Sequence, residues 1–125
     1  MEQLRTALAL YANDNNGNLP TGAFWSNQAS GSGNDFDISL LASLSPYLKS
    51  LPHDPKEIVG GGSYGYFFTN SFYTTSISSG GAAGTCGGKA IIMIYQFENI
   101  TNPRHECTLF SGTEFFPNAL VIQLN

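Results

Sequence analysis

Asp14, Asn16 and Asn18 stand at alternate positions, the spacing with which a calcium loop begins. Such a loop also needs a glycine at its sixth position for the turn and a bidentate glutamate at its twelfth. Leu19 and Trp25 occupy those places, so a helix-terminating turn is the better reading. Cys86, His105 and Cys107 offer sulfur and imidazole donors of the kind zinc takes. Zinc sites usually show close Cys–Cys or His–His pairs, and His105-Glu106-Cys107 supplies neither. A Cys86–Cys107 disulfide beside a surface histidine is the stronger expectation, with two buried free thiols as the alternative. A Ser–His–Asp hydrolase has serines in plenty, but His53 lies in a proline-rich turn and the acids are scattered. The aromatic run Tyr64, Tyr66, Phe67, Phe68, Phe72, Tyr73 would stack on sugar rings if exposed, yet aromatics at period two more often fill a sheet core. Trp25 is the better candidate for surface recognition, or else a loop anchor. Asn99-Ile100-Thr101 matches the N-glycosylation acceptor. These residues call for no catalytic group, cofactor or metal.

The bulk composition narrows the classes further. The 125 residues suit one domain with a single core. Charged residues make up 11%, well below the ordinary level of about 25%, so Ser, Thr, Asn and Gly must cover much of the surface. Net charge is −4, and the five Lys plus Arg are dispersed. That leaves no clustered positive charge for phosphates or an anionic membrane, so no direct nucleic-acid partner is expected. Two cysteines in a polar, low-charge chain fit a disulfide formed in an oxidising compartment. No apolar run approaches the ~18 residues that span a bilayer, and no signal peptide opens the chain. An export segment is therefore expected to lie outside it.

Which elements would position these residues? Leu4, Leu8 and Tyr11 recur at helical spacing among good helix formers, which predicts a helix over 1–13. Its start has no capping residue, and Ala7–Ala12 is apolar nearly all round. Asn13–Asn18 and Pro20 end it. Residues 21–36 read as a surface loop. Asp37 is placed to cap a second helix carrying Ile38, Leu41, Leu44 and Leu48, interrupted at Pro46. Leu51-Pro52-His53-Asp54-Pro55 is a stiff extended exit. Gly60–Gly62 make a turn before strands at Tyr64–Phe68, Phe72–Ile77, Ala90–Phe97, Cys107–Phe110 and Ala119–Leu124, with a glycine-dense loop at 78–88. Helices first and strands after predict an α+β domain, an N-terminal helix packed on an antiparallel sheet of about four strands. Three regions make up this single domain: 1–13, 14–59 and 60–125.

Several segments in this order resemble the periplasmic or extracellular part of type IV pilin-like proteins, including the type II secretion pseudopilins. They are Leu8–Pro20, then Tyr47–Pro55, then Tyr64-Gly65-Tyr66-Phe67-Phe68-Thr69, and last Ala119–Leu124 as the closing strand. The resemblance covers most of the chain. It implies that the first helix is the C-terminal half of a longer one, whose apolar first half anchors in the inner membrane and then packs in a filament core. Leu4, Leu8 and Tyr11 become the candidate assembly surface. The implied partners are other copies of the chain in a helical filament, related minor pilins and the inner-membrane assembly machinery, with the membrane met only through the absent segment. The implied location is an extracellular filament or the cell surface. Residues 108–118 hold one acid, Glu114, unlike the acidic calcium loop of the major secretion pseudopilins. That difference, with the cysteine pair, favours a pilin, or a pilin-like protein of undefined system, over a calcium-binding major pseudopilin; a pseudopilin of a type II secretion or DNA-uptake system is the alternative within the family. A secreted carbohydrate-binding module using Trp25 is the alternative of another class, and an enzyme is not expected.

Overall fold

Good helix formers and a leucine stripe produce the first element. A computed structural model, which describes residues 2–60, 64–72, 84–95, 106–108 and 120–124, places it as α1, Glu2–Asp14. Leu4, Ala7 and Leu8 face inward; burying each leucine is worth about 1.5–3 kcal/mol. Asn16 (φ 59°) and Gly17 (φ 84°) turn the chain left-handed, and Gly17 N donates back to Ala12 O at 2.7 Å. This bond satisfies a carbonyl that the helix end would otherwise leave open. The run Asn13–Asn18 thus stops the helix in the expected way.

The second helical segment departs from expectation in its cap and in its buried face. Asp35, not Asp37, is the cap: its carboxylate accepts from Ile38 N at 2.7 Å, Ser39 N at 3.4 Å and Ser39 Oγ at 2.6 Å. A π-helical turn, Phe36–Leu40, follows and runs into α2, Leu41–Leu44. The earlier start and the wider first turn rotate the buried stripe to Phe36, Leu40 and Leu44. Ile38 is left 56% exposed and Leu41 half-buried. The chain turns just after Ser45-Pro46, and Leu51 returns to the core.

Four strands form one antiparallel meander: β1 (Ala23–Trp25), β2 (Gly65–Thr69), β3 (Ile91–Tyr95) and β4 (Leu120–Gln123). β1 lies inside the expected 21–36 loop. The register sets Phe24, Phe68, Ile92 and Ile122 side by side in one row, and Trp25, Phe67, Met93 and Val121 in the next. Successive residues of a strand point to opposite faces, so these rows line opposite sides of the sheet. The first row packs with Leu4, Leu8, Phe36, Leu40, Leu44 and Leu51 under the helices. The second packs with Phe72, Cys86 and Cys107.

Both outer edges of the sheet already carry hydrogen bonds to neighbouring chain. Trp25 N donates to Asn34 O at 2.8 Å, and Asn34 Nδ2 donates to Ala23 O at 2.9 Å. At the other edge Glu106 N donates to Val121 O, and its carboxylate accepts from Gln123 N, both at 3.0 Å. Pairing of this kind removes the open donors and acceptors through which sheets otherwise extend.

Two expected strands fall largely outside the described residues. Phe72 makes a single parallel bridge to Gly87, and 73–77 lie outside the described residues. Cys107 and Thr108 run irregularly, with Thr108 O accepting from Cys86 N at 2.8 Å; 109 and 110 also lie outside. Among the described residues no helix is long and apolar enough to cross a membrane.

Candidate functional site

α1 presents two faces. Leu4 and Leu8 are 0% and 1% exposed, inside the domain's own core, so their side chains are not at an outer surface. Tyr11 is half-buried, its ring edge-on to Tyr47 at 6.5 Å between centroids. Tyr47 Oη donates to Asp14 Oδ2 at 2.6 Å, which raises the Tyr47 phenol above its usual range and engages the first residue of the imagined calcium loop. The helix end is therefore pinned to the turn after α2. The outward face carries Gln3, Thr6 and Leu10, at helical spacing, with Leu10 46% exposed. Beside it lies an open groove of about 490 Å³, where Glu2, Thr6 and Ala7 of α1 meet Tyr47, Leu48 and Lys49.

The cysteines form a disulfide, with Cα atoms 5.1 Å apart, so neither sulfur is available to a metal. His105 lies outside the described residues, as does Asn99. The backbone near the bridge is closely packed. Thr85 and Thr108 exchange bonds from each backbone N to the other's hydroxyl, at 2.8 and 2.7 Å. A Cβ on Gly84 would sit 2.6 Å from Thr108 O, a separation only glycine permits. The bridge closes the segment that contains β3 and lies under the second face of the sheet.

The aromatic run is spent largely on the sheet. Phe67 and Phe68 are buried on opposite faces, and Phe72 joins the disulfide side. Trp25 is half-buried, its ring 4.9 Å from that of Phe67. Lys56 Nζ stands 5.7 Å from the centre of the Tyr64 ring.

A polar cluster escapes any reading by motif. His53 sits between two carboxylates, Nε2 at 2.5 Å from Asp37 Oδ1 and Nδ1 against Glu57 Oε1. Glu57 Oε2 accepts from Ser26 Oγ at 2.6 Å and from Asp54 N at 3.2 Å. Ser26 Oγ in turn accepts from Tyr66 N at 2.7 Å. These residues lie far apart in sequence, so no local spacing announces them; the His53–Glu57 pair, four apart, is the one short-range sign. Glu57 stands between the serine and the imidazole, and Ser26 is 2% exposed. The arrangement links chain segments and does not present a nucleophile beside a base. Gly61-Gly62-Ser63-Tyr64-Gly65 spells Gly-x-Ser-x-Gly. A nucleophile elbow joins a strand to a following helix, whereas here β2 begins at Gly65. Among the described residues no group of His, Cys, Asp and Glu could hold a metal ion.

No protein-family model, curated protein or solved structure matches this chain.

Proposed function

We propose that the chain is a structural subunit of a type IV pilus or related filament. Assembly would use the outward face of α1, and the sheet would form the body of the subunit. The observation that carries this reading is the division of α1. Leu4, Ala7 and Leu8 hold the helix to the domain, while Gln3, Thr6 and Leu10 remain for a neighbour. This moves the assembly surface from Leu4 and Leu8 to the opposite side of the helix, with the groove beside it. The bonds already made at both edge strands, among the described residues, support a helix-based contact over strand addition. Repetition of such a heterologous contact without closure builds a filament. Partners on this reading are further copies of the chain, minor pilins and inner-membrane assembly machinery. Secretion and DNA-uptake filaments belong to the same reading.

The test uses the chain as encoded, with whatever precedes Met1. The reading expects an apolar segment of about 20 residues there. Leu10→Glu should abolish filaments. Leu10→Glu should leave the domain's stability within about 0.5 kcal/mol, since the position is exposed. A conventional cleaved signal peptide, or filaments unaffected by Leu10→Glu, would sink the reading.

A further inference from the structure

Two acceptors flank one imidazole in the polar cluster. A neutral histidine ring has one N–H, and a protonated ring has two. With carboxylate oxygens at both nitrogens, every contact is satisfied only when the ring carries both protons. The two carboxylates belong to different segments, Asp37 to the π-helical turn and Glu57 to the loop that holds His53 itself. Glu57 is well covered, its side chain 9% exposed, and passes the connection on through Ser26 to the backbone of β2. Asn27 closes the same loop at its far end, its carbonyl accepting from Gly60 N at 2.7 Å.

We propose that His53, Asp37 and Glu57 form a proton-operated clasp on residues 52–60. With the ring doubly protonated, the loop is tied to the π-helical turn on one side and to β2 on the other. Loss of one proton leaves a carboxylate facing a bare nitrogen lone pair, so either the hold on Asp37 opens or the brace from His53 to Glu57, which steadies the Glu57–Ser26 link to β2, is lost. The loop carries Ile58 and Val59, 67% and 66% exposed, so the proton governs how firmly this apolar tip is held.

The surrounding charges agree with this direction. Partial burial of the ring opposes its charge, but the hydrogen bonds and charges of Asp37 and Glu57 prevail and hold His53 above its usual 6.5. Asp54 lies on the same loop, its backbone N–H bonded to Glu57. From β2, the Tyr66 phenol is pushed up by burial and then by the charges of Asp54 and Glu57. Ser26, after β1, meets the cluster as a neutral hydroxyl, and the Phe36 ring approaches His53 edge-on at 6.5 Å. Because the folded value is raised, the clasp contributes fully below 6.5 and is lost as pH rises through the folded value.

The test follows the His53 ring by NMR from about pH 5 to pH 9 and measures amide-exchange protection factors at Asp54, Gly60 and Ile92. Protection at Asp54 and Gly60 should fall severalfold as His53 titrates, while Ile92 in β3 holds. His53→Asn should abolish the step. Asp37→Asn, at a side chain half exposed, should move the His53 midpoint and the step down together, which keeps the test alive if His53→Asn does not fold. A His53 midpoint at or below 6.5, a step that survives His53→Asn, or one that ignores Asp37→Asn would overturn the clasp.

Discussion

The two faces of the sheet are buried by different means. On one, Phe24, Phe68 and Ile92 meet helical side chains that recur every four residues: Leu4 and Leu8, then Phe36, Leu40 and Leu44. On the other, Phe67, Met93 and Val121 meet irregular chain held by the Cys86–Cys107 bridge. The first face gets its cover from secondary structure, where backbone bonding and burial reinforce each other. The second gets it from glycine- and threonine-bearing chain with little periodic burial of its own, and a covalent link supplies the order. A domain with so few charged residues thus uses packing where the chain is regular and a staple where it is not.

The largest expected effect tests the helical face. Phe68→Ala should cost about 3–5 kcal/mol, read from the urea midpoint, because Phe68 is wholly buried among helix and sheet residues. A loss below about 1 kcal/mol would mean that the helices are not what this row depends on. Emission from Trp25, the single tryptophan, should keep its wavelength in the folded variant, since that ring lies on the other face.

Removing the bridge probes the second face. Cys86→Ser with Cys107→Ser should cost about 3 kcal/mol, the value for a loop of this length, and Trp25 emission should move to the red before the helices melt. If both thiols of the unreduced native protein label freely, or if the melting temperature is unchanged on reduction, the staple is not there.

The smallest effect belongs to the cap of the π-helical turn. Burial pushes the Asp35 carboxyl up, but the bonds from Ser39 Oγ, Ile38 N and Ser39 N prevail and bring it down to about 2. Its contribution is therefore present above 3.8 and lost as pH falls through about 2. Asp35→Ala should cost about 1 kcal/mol near neutrality, and the difference from wild type should shrink in acid. Equal differences at pH 7 and at about pH 2 would show that the carboxylate's charge is irrelevant to the cap.

The same contrast explains what was legible in the sequence. α1 carries its signal in leucine spacing and in Asn16-Gly17, and its expected end differs from Asp14 by one residue. β2, β3 and β4 were visible as apolar and aromatic runs, and the antiparallel α+β arrangement followed from their order. β1 was not visible, because three residues are too few for an alternation and Ala23–Trp25 becomes a strand through its pairing with β2. The cap was misplaced because Asp35 and Asp37 are chemically alike, and which one meets free backbone N–H groups is decided by where Phe36 is buried. The cluster around His53 was invisible for a different reason. Asp37 and Ser26 reach it only after β1, the π-helical turn and the loop have packed.

The position of the bridge also has a mechanical side. Cys86 and Cys107 lie on either side of β3, the strand between β2 and β4. A pull applied at the two ends of the chain is carried through the sulfur–sulfur bond and bypasses that strand. The 21 residue steps inside the bridge, roughly 70 Å of extended backbone, are withheld from any stretch while the bond is intact. The oxidised chain under tension therefore yields by a shorter length than its residue count suggests, and reduction lengthens the tether without changing a single amino acid.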